Sequence, residues 1–360
     1  MNSEIIKKMV RKPSAWVDPK GPFAEIVFSS RIRFARNIQG HKFSISSTEN
    51  EKKILFDELT EDITAIELFK DGYVLRMEDL SSIEKEFLVE RHLVSFDLCF
   101  ESDMGGAIID KNERVSIMIN EEDHLRIQGF ADGLQMFEVF DFLNLVDDEI
   151  GARASYSYDK DFGYLTACPT NIGTGMRASA LVHLPALVIT REIEKIIRKL
   201  KTKRVLVRGL YGEGTDIKGN FFQLSSSASL GKSEENIISI VTEIVKEIVE
   251  KERNARETLM KNAQMQIEDK IWRAYGLFKY ARLLTSDEAI NLSSALRLGV
   301  GLGVIRDVAL KQLNKLLVYI QPAHLQLVYE RKMDNYERDR MRARFVKEIL
   351  SLDSKGSNDG

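Results

Sequence analysis

After Ser233 the chain changes texture, and that change limits what it can fold into. From Ser233 to about residue 352 apolar residues recur only at helical intervals. Ser233, Glu234 and Glu235 make a helix start, and Ile237, Val241, Ile244 and Ile248 then line one face. Thr285 and Glu288 form a capping-box pair. "GVIRDVALKQLNKLLVYI" is amphipathic and limited by Pro322, and "DNYERDRMRARFVKEILSL" makes a last, very basic helix. Before Ser233 short strand patterns alternate irregularly with helical ones. The two periods present apolar residues to different packing layers. The chain therefore reads as an α+β domain followed by an all-α domain, with a boundary near residue 255.

Within the first part, Val115, Ile117 and Ile119 alternate with Ser116, Met118 and Asn120, a buried strand that pairs with "GGAIID" as a hairpin. "EIVFSSRIRFARN" is a strand running into a loop. Residues 49–70 and 81–94 have helical spacing, and 130–151 gives an amphipathic helix through Leu134, Phe137, Phe140, Leu143 and Val146. "FGYLTACPT" reads as a strand, "GMRASALVHLPALVI" as a largely apolar helix, and "REIEKIIRKLKTKRVLVRGLYG" as a helix leading into a strand. "NFFQLSSSASLG" is a further strand of the same sheet. Hairpin-like neighbours favour an antiparallel sheet flanked by helices over a doubly wound parallel one. No glycine-rich dinucleotide fingerprint follows any strand. Residues 1–23 read as an arm, holding three of the six prolines, and 353–360 as a disordered tail.

Composition narrows the classes. A net charge of -3 gives no global pull toward nucleic acid or an anionic membrane, so any anion site must be local. Cys99 and Cys168 are too few for a disulfide framework and fit a reducing cytosol. No run approaches the roughly 18 apolar residues of a membrane span, and the charged N-terminus lacks a signal peptide's apolar stretch. A cytoplasmic protein is expected.

Arginine-bearing segments stand where strands end or loops begin: "SSRIR" (Arg31, Arg33), "EEDHLR" (Arg126), "GTGMRAS" (Arg177) and "VRGLYGEG" (Arg208). "ERHL" (Arg91, His92) lies on a predicted helix. A guanidinium keeps its charge and matches phosphate oxygens two at a time, so converging forks would cradle a polyphosphate. The glycines of "NIGTGMR" and "GLYGEG" let backbone N–H groups approach anions, but no Gly-Lys-Ser/Thr ending makes a P-loop. A guanidinium nucleophile must be oriented by carboxylates, one of which takes its proton. Glu122 and Glu213 are the candidates.

"CPTNIGTG", "NEEDHLRI" and "SSRIRFARN" resemble the signature segments of phosphagen (guanidino) kinases, in that family's order. The resemblance implies a catalytic domain over 24–255 with a glutamine synthetase-like antiparallel sheet, and ATP as phosphoryl donor. Mg²⁺ would be held mainly by the nucleotide, with no protein metal ligand. Ser29, Ser30, Arg31, Ile32 and Arg33 would contact the nucleotide, with His92 near the adenosine. Arg126, Arg177 with Ala178, Ser179, Ala180 and Leu181, and Arg208 with Gly209, Leu210, Tyr211 and Gly212 would also bind ATP. Glu122 matches the principal catalytic glutamate, Glu213 the second glutamate of arginine kinases, and Cys168 the reactive cysteine beside the guanidinium.

Metazoan members carry a helical domain before the catalytic one, whereas here only some 24 residues precede "EIVFSS" and the helical part follows at 256–352. That order resembles the McsB-type bacterial protein-arginine kinases. It implies an acceptor side open to an arginine within a polypeptide, in the service of protein quality control and stress response. "RDRMRA" (Arg338, Asp339, Arg340, Met341, Arg342, Ala343) would form an allosteric phosphoarginine pocket. The same resemblance implies the McsA activator, the ClpC–ClpP protease and the CtsR repressor as partners, and apolar helix faces after residue 256 leave room for a dimer or larger homo-oligomer. Two alternatives stay open: a kinase of free arginine or another small guanidine, and a catalytically silent phosphoarginine-binding regulator.

Overall fold

A computed structural model describes residues 2–102, 104–209, 217–227 and 229–352. The long strand β1 (Val27–Arg36) lies mid-sheet because both of its edges find partners. The others are β2 (Tyr73–Arg76), β3 (Gly106–Ile109), β4 (Val115–Ile119) and β5 (Leu125–Asp132), a two-stranded β6 (Tyr158–Asp159) and β7 (Gly163–Tyr164), then β8 (Met176–His183), β9 (Val205–Arg208) and β10 (Phe221–Ser226). Eight of them form one sheet in the order β2-β3-β4-β5-β1-β8-β10-β9, every neighbouring pair antiparallel.

The helices before the change of texture are α1 (Asn2–Arg11), α2 (Glu49–Thr64), α3 (Ser82–Glu90), α4 (Phe96–Phe100), α5 (Met136–Gly151), α6 (Pro185–Ile189) and α7 (Ile193–Thr202). After it come α8 (Glu234–Tyr280), α9 (Ser286–Gly301), α10 (Leu310–Tyr319), α11 (Pro322–Val328) and α12 (Asn335–Leu352). Side chains alternate across a strand. Ile32 and Phe34 of β1, Ile127 of β5 and Ala178, Ala180 and Val182 of β8 therefore share the face that α5 and α8 cover. All six are buried in one core with the apolar stripe Ile237, Val241, Ile244 and Ile248 of α8. The opposite face floors a cleft.

Four expectations change. "GMRASALVHLPALVI" is strand β8 followed by the short α6, not one helix. An apolar run buried on both faces carries no period, and pairing with β1 and β10 decides it. The chain after His124 forms β5, so the next helix begins only at Met136. It buries Met136, Val139, Leu143, Val146 and Ile150 and leaves Phe137 41% exposed. "FGYLTACPT" supplies just the two strand residues of β7. The first half of the N-terminal arm is a helix: Ile6, Met9 and Val10 of α1 recur at helical spacing and enter a second core with Phe87, Leu88 and Leu98. Helix α8 runs through residue 255 and departs from helical geometry at Ala263 (φ -148°, ψ 34°).

Buried polar contacts tie the C-terminal helices to the sheet layer. His183 Nε2 lies 2.8 Å from Ser294 Oγ, Arg297 donates to Ala24 O at 2.6 Å, and Asn314 donates to Val17 O at 2.9 Å. The Glu252 carboxylate accepts both the Ala186 and Leu187 N–H groups at 3.1 Å. No helix among the described residues is long and apolar enough to cross a membrane.

Arg36 and Asp147 form an ion pair at 2.7 Å with both side chains buried. Removing one partner strands the other charge away from water. Asp147→Ala is expected to cost about 3–5 kcal/mol of unfolding free energy, read from urea denaturation.

Candidate active site

The strand register assembles the cleft floor. Directly opposed residues share a sheet face, and Arg33 of β1 opposes Arg177 of β8 on one side and Gln128 of β5 on the other. Arg126 lies two residues from Gln128 and so shares its face, Arg31 opposes Ser179, and Gln223 of β10 opposes Arg208. Arg31, Arg33, Arg126, Arg177 and Arg208 thus all line one cleft of about 1310 Å³. Alternation in β1 and β8 points Ser30, Ile32, Ala178 and Ala180 the other way. Ser30 donates to Gly133 O at 2.8 Å, and the remaining three are core.

The crowding is electrostatically costly. Burial, then the charges of Arg126, Arg177 and Arg208, bring the Arg31 pKa down to about 9. Burial and the neighbouring guanidinium groups also push Arg33 well below the ordinary arginine range. Arg33 Nε is buried without a hydrogen-bond partner, and such orphans in native proteins call for an explanation. A polyanion seated on this floor supplies one, so the residues fit a nucleotide's phosphates. Among the described residues no group of three or more His, Cys, Asp or Glu could hold a metal ion.

Beside the arginine floor, Trp16, Phe130, His92, Leu181, Ser29 and Ser179 line a smaller recess that also touches Arg31. Trp16 stacks on Phe130 with ring centroids 5.7 Å apart. His92 takes φ +58° just after α3, and Gln128 donates to its carbonyl at 3.1 Å. Burial, then the Arg31 charge, lowers the His92 pKa to about 3, so the ring is neutral. The neighbouring Arg91 stays out of the cleft. It is fully buried and paired with Glu113 at 2.7 Å.

The acidic turn between β4 and β5 gives each acid a different task. Arg126 Nη1 donates to Glu121 Oε1 at 2.6 Å, and Ser95 donates to the same oxygen at 2.8 Å. Burial opposes the Glu121 charge, but Arg126 outweighs it and holds that carboxyl below its usual range. Asp123 Oδ1 accepts from Asn37 Nδ2 at 2.6 Å and from the Ala167 N–H at 2.7 Å, tying the turn to the Cys168 loop. His124 Nδ1 accepts from the Ile38 N–H at 3.0 Å, and its Nε2 faces Lys42 O at 2.7 Å. Of the turn's three acids only Glu122 is exposed, at the cleft wall. Partial burial, then the charges of Asp123 and Glu121, raise its pKa above the ordinary value.

Cys168 is half-buried at the cleft wall, its Sγ 3.1 Å from Thr170 Oγ1. Cys99 is a packing residue whose thiol burial pushes up to about 12. Gly173 and Gly175 take positive φ. A Cβ on Gly175 would sit 2.6 Å from Ala35 O, so here glycine serves close chain packing. Glu213, Leu210, Tyr211 and Gly212 lie outside the described residues, and Gly209 is buried at the end of β9. Sequence reasoning missed Glu121, Asp123, Asn37, Gln128, Trp16 and Phe130 as site-forming residues. "EED" was a usable signal for the first two, whereas the others act through partners distant in sequence.

The RDRMRA segment opens differently from a free basic face. Arg342 is turned inward, donating to Ile320 O at 2.8 Å, Leu284 O at 2.7 Å and Asp339 Oδ1 at 2.6 Å. Met341 and Ala343 are core, Arg338 is half-exposed and contacts Asn335, and Arg340 is exposed.

Residues 55–255 match the ATP:guanido phosphotransferase C-terminal catalytic domain. The fold is similar to that of a duplicated taurocyamine kinase from Schistosoma mansoni (TM-score 0.59, 24% identity, 68% of this chain and 35% of that one). It is also similar to lombricine kinase (TM-score 0.57, 24% identity, 69% and 77%). Sheet, arginine floor and family match define a guanidino phosphotransferase. Residues 264–359 match the protein-arginine kinase McsB C-terminal domain. The chain is 44% identical over 356 residues to a protein-arginine kinase of Desulforamulus reducens, covering 96% of this chain and 98% of that protein. It is 40% identical over 345 residues to the one of Bacillus subtilis, covering 95% of each. It belongs to the protein-arginine kinase family.

A depressed arginine pKa means that the fold disfavours the charge, and at neutral pH, below the value of about 9, the charge is present. Arg31→Met is therefore expected to raise the melting temperature of the nucleotide-free protein while weakening ATP binding about tenfold or more. Calorimetry of both quantities checks it.

Proposed function

We propose that this protein transfers the γ-phosphoryl group of ATP to arginine side chains of other proteins. The single observation behind the proposal is the cleft itself: five guanidinium groups on one sheet face, with the exposed carboxylate of Glu122 on the turn at their edge. ATP would lie with its phosphates on the arginine floor and its base toward Trp16, Phe130 and His92. Mg²⁺, when bound to the nucleotide, would add charge neutralisation at the phosphates.

The acceptor guanidinium has a pKa above about 12 and is no nucleophile while fully protonated. Glu122 would accept one of its protons as the nitrogen attacks the γ-phosphorus and the bond to ADP breaks. The raised pKa of Glu122 brings it closer to that task. Asp123, through Ala167, would keep the Cys168 loop in register with this turn. Cys168 and Glu213 are proposed to hold the guanidinium, and Arg338–Ala343 to bind phosphoarginine as a regulatory signal. McsA, ClpC–ClpP and CtsR are expected partners on the same family grounds. A kinase of free arginine is the competing reading, and labelled ATP offered with free arginine and an arginine-rich unfolded protein separates the two. Acid-labile label on the protein supports the proposal, and label on free arginine alone refutes it.

Glu122→Ala should lower transfer about 10²–10⁴-fold while leaving ATP affinity within about twofold of wild type, since the arginine floor is intact. Because the raised carboxyl must be ionised to accept a proton, activity should fall as pH drops through a value above the ordinary 4.5 of glutamate. That acid limb should vanish in the residual activity of Glu122→Ala. A limb that stays in place assigns it to another group.

A further inference from the structure

A second recess lies where α1 meets α10, α11 and α12. Its volume is about 280 Å³, near the lower end for small-molecule sites. Its walls are apolar, from Val10, Leu327, Val328, Phe345 and Ile349. Its floor is His324, whose side chain is wholly buried and whose two ring nitrogens both lack a hydrogen-bond partner.

That double orphan is unusual. Tyr319 stacks flat on the His324 ring at 4.4 Å and 4°, and Phe87 packs on it at 5.3 Å, so the ring is held but its nitrogens are not satisfied. Tyr319 also lines the recess, its buried hydroxyl facing the Arg91 guanidinium. Burial of polar groups without partners costs free energy that a ligand could recover. Burial, then the Arg91 charge, keeps the imidazole neutral, so it offers one donor and one acceptor. The rim has the opposite character. Lys7, Arg11 and Lys315 line the recess too; Arg11 pairs with Glu330 at 3.5 Å in an exposed pair, and among the described residues Lys7 and Lys315 form no ion pair.

We propose that this recess binds a small organic acid whose carboxylate meets the lysine rim, whose apolar body fills the wall and whose hydroxyl reaches His324. The site is separate from the ATP cleft and from the Arg338–Ala343 segment, none of whose residues lines it. Glu90, the last residue of α3, accepts the Ala323 and His324 N–H groups at 2.9 and 2.8 Å, and His92 two residues on lines the nucleotide recess. Occupancy would thus be felt next to the ATP site.

The probe is para-hydroxyphenylpropionate, titrated calorimetrically into the full chain. Saturable binding at one site per chain is expected, weakened about tenfold on removing the hydroxyl (phenylpropionate) or the charge (the corresponding amide). The paired variant Lys7→Glu with Lys315→Glu alters only rim side chains and should weaken binding by at least about tenfold. His324→Phe keeps the stacked ring and should erase the preference for the hydroxylated acid. If that variant does not fold, the lysine variant decides. Absence of saturable binding to the wild type, equal binding of all three compounds, or an unchanged affinity in the lysine variant overturns the proposal.

Discussion

Everything in the cleft depends on holding like charges together on one face of a sheet. Five guanidinium groups repel one another and lose water, and burial with that repulsion brings Arg31 to about 9 and pushes Arg33 well below the ordinary arginine range. Side chains on flexible loops would swing apart. Here the consecutive strands β5, β1, β8, β10 and β9 fix the Cα positions through their backbone ladders; Glu121 offsets part of the repulsion at Arg126, and a bound anion would relieve more. The arrangement trades stability for readiness, as preorganised sites do.

The acidic turn solves the opposite problem. Glu121 spends its charge on Arg126, and Asp123 on Asn37 and the Ala167 N–H. Both are anchors, and the turn they fix carries Glu122 outward. The raised pKa of Glu122 follows from its partial burial and then from the two satisfied carboxylates that flank it. The turn therefore leaves one acid exposed by making its neighbours structural.

The C-terminal helices complete this support from behind. The stripe of α8 covers the sheet's apolar face, and His183–Ser294, Arg297–Ala24 and Asn314–Val17 cross between the helical part and the sheet layer. The α3–α11 junction reaches further, because Glu90 holds the start of α11 while His92 lines the recess beside the arginine floor. Helical region and cleft share one short segment of chain.

Residue chemistry and period were readable from the chain alone: the α+β then all-α order, the hairpin of β3 and β4, the Ser233 start of α8, and the arginines and acids as residue types suited to phosphate and guanidinium. These are local properties, carried by side-chain chemistry and by spacings within one element. Only the tertiary structure decided that β8 is a strand, because a run apolar on both faces has no period until β1 and β10 flank it. Likewise it separated Arg91, buried against Glu113, from the five arginines of the floor, and Arg342, spent on three carbonyl and carboxylate oxygens, from a free basic face. A charged side chain looks the same in a sequence whether its partner is phosphate, solvent or a carboxylate a hundred residues away. Strand register and packing choose among them.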